Sequence, residues 1–234
     1  MTKLAPEKCR IFVAADTPHL DTAMSIAKAV DKKGAGLKLG LEFFNSQGPG
    51  GVRAISEECR DLPIFLDLKY YDIPNTVCSA IKAILDVTKP SYLNVHASGG
   101  LKMMQEAKKS CRKDTKLLAV TALTSFDEDD FTGAGYKGPI AEIVEKQAML
   151  AKEAGLDGVV CSAHEIERLR AICGKDFILM VPGIRPAGED AQDQKRVMTP
   201  SEAIELGASH LVIGRPITQA NNPEEALQAI CQSL

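Results

Sequence analysis

Along nearly the whole chain, short apolar runs alternate with longer stretches whose apolar residues recur at the spacing of one helical face. The apolar runs predict strands at Ile11–Asp16, Gly36–Gly40, Pro63–Lys69, Tyr92–Ala97, Leu117–Leu123, Gly158–Ser162, Phe177–Pro182 and His210–Gly214. The stretches between them predict helices at Leu20–Lys32, Asn75–Val87, Leu101–Arg112, Ile140–Ala154, Ala163–Ile172, Pro200–Leu206 and Pro223–Gln232. Around Val52–Cys59 the helical pattern is weaker. Strands that alternate with helices build βαβ units on a parallel sheet. Eight such units without a linker or low-complexity tract predict an α/β fold, a closed (β/α)8 TIM-type barrel forming a single domain over residues 1–234. An open doubly wound sheet is the alternative.

The ends of the predicted strands favour the barrel. Nearly every one finishes on polar residues: Asp16, Lys38, Asp67 and Lys69, His96, Thr124 and Ser125, Cys161 and Ser162, Arg185, and Arg215. A barrel assembles its site at that rim from all its strands, whereas an open sheet uses only the crevice at its switch point.

Side chains alternate faces along a strand. In the third strand this sends Ile64, Leu66 and Leu68 outward and Phe65, Asp67 and Lys69 inward. Leu37 and Leu39 likewise point out and Lys38 in, while Asp16 lies inside at the end of the first strand. Four charges, from Asp16, Lys38, Asp67 and Lys69, therefore converge on one cavity with alternating sign. Buried charges are tolerable only when paired and hydrogen-bonded, and charge clusters in clefts point to function more often than to stability. Asp72 lies past the strand end on a loop, free to reach another cavity. Ile73–Thr76 reads as a turn into a helix that Asn75 or Thr76 would cap.

Val181–Arg185 and Val212–Arg215 close strands seven and eight, each with a Gly and an Arg. Glycine permits close backbone approach, and Arg suits bidentate phosphate recognition. Barrels often bind phosphate with the loops after those two strands. Gly188–Arg196 is too polar for core and predicts a loop above strand seven, from which Gln194 can reach a ligand. His96 points inward but is given no primary role. Asp127–Asp130 reads as a solvated acidic turn rather than a metal site, because neighbouring carboxylates diverge.

Composition narrows the classes. A net charge of −3 argues against a general nucleic-acid binder. Seven scattered cysteines, without CxxC or Cys/His spacing, fit reduced thiols in a cytoplasm. The start MTKLAPEKCR has no apolar stretch of a secretory signal, and no run approaches the ~20 apolar residues of a membrane span.

The run FLDLKYYDIPNT at 65–76 resembles the D-x-K-x-x-D-I-P-N-T signature of the orotidine 5′-phosphate decarboxylase family. AAD at 14–16, LKLG at 37–40, NVHASGG at 94–100, LTS at 123–125, VPGIRP at 181–186, DQ at 193–194 and IGRPIT at 213–218 follow in the family's order. The resemblance implies a homodimer that converts orotidine 5′-monophosphate to UMP and carbon dioxide without metal or organic cofactor. It implies Lys69 as proton donor, with Lys38, Asp67 and Asp72 completing the charge network and Asp72 and Thr76 serving the neighbouring subunit's site. Asp16 and Lys38 are implied to bind ribose, Thr124 and Ser125 the pyrimidine edge, and Gln194 base and phosphate. Gly214 and Arg215 are implied to hold the phosphate, with Arg185 near it and Ile73 and Pro182 also touching substrate. Two other readings compete. One is the related magnesium-dependent 3-keto-L-gulonate-6-phosphate decarboxylase and hexulose-phosphate synthase group, which places a metal-binding Glu on strand two where this chain has Lys38. The other is a non-catalytic nucleotide-binding barrel.

Overall fold

A computed structural model describes residues 10–31, 33–186 and 198–234. The elements run β1 (Ile11–Ala14), α1 (Leu20–Asp31), β2 (Gly36–Leu39), α2 (Leu41–Glu58), β3 (Ile64–Tyr70), α3 (Pro74–Val87), β4 (Tyr92–His96), α4 (Gly100–Ser110) and β5 (Lys116–Val120). They continue α5 (Glu128–Gly133), α6 (Ile140–Glu153), β6 (Gly158–Val160), α7 (Ile166–Cys173), β7 (Ile178–Pro182), α8 (Pro200–Glu205), β8 (His210–Ile213), α9 (Arg215–Thr218) and α10 (Pro223–Gln232). The eight strands pair in parallel in chain order, and β8 pairs back onto β1 through Phe12↔Val212. This closure is the expected barrel and eliminates the open sheet.

Strand alternation sorts the side chains into two cores. Val13, Leu37, Leu39, Leu66 and Leu93 face outward beneath the helices. Phe12, Phe65, Tyr92, Leu118, Met180 and Val212 fill the barrel interior. Phe12 sits edge-on to Phe65, Tyr92 and His210, with ring centroids at 6.3, 5.3 and 5.5 Å. The Tyr92 hydroxyl and His210 Nε2 lie 2.9 Å apart, so the plug's polar atoms are paired. A packed floor of this kind leaves the strands' C-terminal ends to form the cavity.

The predicted segments recur with shorter strands: β1, β5 and β6 end at Ala14, Val120 and Val160, and after one more inter-strand bond each, from the Ala15, Thr121 and Cys161 N–H groups, the chain passes into rim loops. Several helices differ from expectation. The weak pattern at Val52–Cys59 belongs to the second half of α2, which is two helical pieces joined at Gly48 (φ 60°) before Pro49. Proline interrupts the helical hydrogen-bond ladder, which explains the diluted sequence pattern. The acidic run is more than a turn. Asp127 and Asp130 form a reciprocal capping box that opens α5. Neither Asn75 nor Thr76 caps α3: Ile73 is the N-cap and makes no side-chain cap bond. Pro74 takes the first helical position, where its missing N–H costs nothing. No described helix is long and apolar enough to cross a membrane.

Candidate active site

At the C-terminal rim the strands enclose a cavity of about 510 Å³, to which Asp16, Lys38, Asp67 and Lys69 all contribute. The convergence of four alternating charges is therefore observed. Lys38 Nζ donates to Asp16 Oδ1 at 2.9 Å and lies 3.5 Å from Asp67 Oδ2. Lys69 Nζ donates to Asp67 Oδ1 at 2.7 Å. Asp67 is thus clamped between two ammonium groups, one on each oxygen. Burial acts to raise its carboxyl, but Lys38 and Lys69, with hydrogen bonds from Lys69 and Asn94, outweigh burial and hold it below the usual carboxylate range. Gly40 completes the packing here, since a Cβ at that position would come within 3.1 Å of both Asp16 Oδ1 and Lys38 Nζ.

Asn94 was not among the residues expected at the site. It lies in β4, wholly buried, donates from Nδ2 to Asp67 Oδ1 at 2.7 Å, and accepts from the Lys69 backbone N–H at 2.8 Å. The signal for it was present: an amide in the strand YLNVH, on the same face as Tyr92 and next to no polar neighbour on that face but His96. His96 is partly buried beside this network without lining the cavity, and stands edge-on to Tyr71 at 6.0 Å. Burial, then the Lys69 charge, lower its pKa and favour the neutral imidazole.

The ends of β7 and β8 add Pro182, Gly183, Arg185, Gly214 and Arg215 to the cavity lining, with β8 next to β1. Gly183 takes φ 79°, a left-handed conformation that turns the chain over the cavity and disfavours a side chain. Arg185 is only 5% exposed, far from the ordinary surface arginine. Thr218 and Gln219 also reach this wall on the unpredicted helix α9, for which Pro216 just after Arg215 was the available sign. Cys161 lines the cavity too, but burial pushes its thiol well up, away from the thiolate that nucleophilic chemistry needs.

Thr124 lines the cavity, whereas Ser125 is exposed beside it. Asp72, Ile73 and Thr76 stand outside this chain's cavity on the exposed turn into α3. There Asp72 Oδ1 accepts from the Ile73 N–H at 2.6 Å. Gln194 and the rest of the Gly188–Arg196 segment lie outside the described residues. Among the described residues no group of three or more His, Cys, Asp or Glu side chains is placed to hold a metal ion.

Comparison with known proteins agrees with this architecture. The model of the orotidine 5′-phosphate decarboxylase / HUMPS family matches residues 9–230. Orotidine 5′-phosphate decarboxylase of Sphingopyxis alaskensis is 49% identical over 220 residues, spanning 94% of this chain and 96% of that one. The Rhodospirillum rubrum protein of the same name is 47% identical, over 94% and 92%. The crystal structure of orotidine 5′-phosphate decarboxylase from Lactobacillus acidophilus superposes with a TM-score of 0.84 at 36% identity, covering 96% of this chain and 98% of that one. A family match along almost the full barrel, with relatives near half identity, places the chain in the orotidine 5′-phosphate decarboxylase / HUMPS family.

Proposed function

We propose that the chain is an orotidine 5′-phosphate decarboxylase, converting orotidine 5′-monophosphate to UMP and carbon dioxide in pyrimidine biosynthesis. The observation that carries this reading is Asp67 held between Lys38 and Lys69 on a cavity that Arg185 and Arg215 also line. Loss of carbon dioxide breaks the bond between the carboxylate and the ring and leaves the electron pair on the ring carbon. Lys69 stabilises that developing charge and then delivers its Nζ proton to the same carbon. Asp67 keeps the ammonium charged and aimed, because an opposite charge favours the ionised form. Asp16 and Lys38 bind ribose hydroxyls, while Thr124, Ser125 and Gln194 address the base. Pro182, Arg185, Gly214 and Arg215 grip the phosphate, whose binding energy is available to assemble the site around the reacting ring.

No metal takes part in this reading. Lys38 supports that: its ammonium lies 2.9 Å from Asp16 and 3.5 Å from Asp67, occupying the space between the two carboxylates where a cation would sit. The active unit is a homodimer, in which Asp72, Ile73 and Thr76 complete the neighbouring subunit's cavity. Their exposure supports this, as does the apolar character of the turn, where Tyr71 is 61% and Ile73 66% exposed. The free thiols of Cys59, Cys78, Cys111, Cys161, Cys173 and Cys231 support a cytoplasmic enzyme.

Purified protein mixed with orotidine 5′-monophosphate should lose the substrate's ultraviolet absorbance at an equal rate with and without a chelator. A requirement for magnesium would instead favour the metal-dependent branch of the family. Tight UMP binding with no turnover would favour the non-catalytic barrel.

A further inference from the structure

Lys69 has φ 51°, in the left-handed region, and no other described non-glycine residue has a positive φ. For a long side chain this conformation costs on the order of 1–2 kcal/mol and persists only where the surroundings enforce it. The β3–β4 ladder shows where it arises. Leu66 pairs with Leu93, yet Tyr70 pairs with Val95, so β3 advances four residues while β4 advances two. The two additional residues keep Asp67 and Lys69 on the inner face but remove the Lys69 N–H from the ladder. The Asn94 side chain takes that N–H, and its own amide donates to Asp67.

We infer that Asn94 is a positioning residue that holds the Lys69 backbone in its left-handed turn and locks the Asp67 carboxylate, fixing both charges for proton transfer. The role requires an amide. Its carbonyl oxygen satisfies a buried backbone donor and its NH2 satisfies a carboxylate, two opposite demands about one side chain apart. An Asp at 94 offers only acceptors and sets a second carboxylate against Asp67. An apolar residue leaves both partners short, which a buried site does not tolerate cheaply. Asn94 touches no substrate in this assignment: it acts through Lys69 and Asp67. The inference rests on the proposed reaction for its kinetic arm but not for its structural one.

The groups facing Asp67 are Lys38 from β2, Lys69 from β3 and His96 from β4, with Asp16, just past the end of β1, beyond Lys38. Losing the Asn94 donor should raise the Asp67 carboxyl and move the acid limb of kcat/KM to higher pH. Asn94→Ala and Asn94→Asp should lower kcat on the order of 10²-fold, as displacement by about an ångström does, with little change in KM. Val95→Ala serves as the stability control, since Val95 is a buried outward neighbour in the same strand. It should lose stability but keep kcat and the wild-type pH profile. Hydrogen exchange at the Lys69 amide gives a readout independent of turnover: protection should fall in Asn94→Ala, which removes the acceptor, but not in Val95→Ala or in Asn94→Asp, which keeps one. If wild-type protein does not decarboxylate orotidine 5′-monophosphate, the proposed reaction fails while the exchange result still decides the role of Asn94. Unchanged Lys69 protection in Asn94→Ala would overturn it. So would a full-rate Asn94 variant with an unshifted acid limb, or an equal kcat loss in Val95→Ala. Should Asn94→Ala not fold, the near-isosteric Asn94→Leu, which also lacks an acceptor, carries the exchange comparison and Asn94→Asp the kinetic one.

Discussion

Replacing Asp67 with Asn removes one charge from the centre of the network and changes its shape little. At 2.7 and 3.5 Å, with an effective dielectric of about 20, the carboxylate attracts Lys69 by ~6 kcal/mol and Lys38 by ~5 kcal/mol before desolvation is counted. Desolvation offsets much of that, and removing one partner of a buried pair typically costs about 3–5 kcal/mol. The lower end applies here, because Lys69 is 29% exposed to screening water and Lys38 keeps Asp16 at 2.9 Å. Asp67→Asn should therefore destabilise the fold by about 3 kcal/mol at neutral pH, measured as a shift in urea midpoint at constant m-value. The pH dependence has a definite sign. The folded-state pKa of Asp67 is depressed, so its contribution is complete above the unfolded value of about 3.9 and is lost as pH falls through the folded one. The gap between wild type and variant should stay level from about pH 8 to 5 and close below about pH 4. A variant as stable as wild type at pH 7, or a gap that widens on acidification, would refute this account of Asp67.

The other consequences concern the floor, the phosphate wall and the subunit boundary. Phe12→Ala empties the centre of the barrel plug and should cost about 3–5 kcal/mol in denaturant titrations. Arg215→Ala should raise KM for the nucleotide strongly, while leaving weak binding of the phosphate-free nucleoside unchanged in calorimetry. Mixing inactive Lys69→Ala with inactive Asp72→Ala protein should restore part of the activity, because one site of each mixed dimer carries neither defect. Absence of rescue despite proven subunit exchange would count against a shared site.

The barrel was legible because period-two and helical patterns alternate cleanly, and the inward parity of Lys38, Asp67 and Lys69 follows from alternation alone. The first half of α2 was not, since its Gly48-Pro49-Gly50 break carries the residues of a turn. The short helices α5 and α9 span less than two full turns and leave too few residues for periodicity. Asn94 was missed for a different reason. A single buried amide reveals its role only through partners, and its two partners are 25 and 27 residues away in sequence. The position of Asp72 outside its own chain's cavity was foreseen from the loop it occupies, whereas its service to a second subunit rests on resemblance.

The central claim is that Lys69 delivers the proton that follows loss of carbon dioxide. Lys69→Ala, checked for an intact fold by circular dichroism, should bind UMP but fail to discharge the absorbance of orotidine 5′-monophosphate even at high enzyme concentration. Turnover at the wild-type rate in that variant would contradict the assignment.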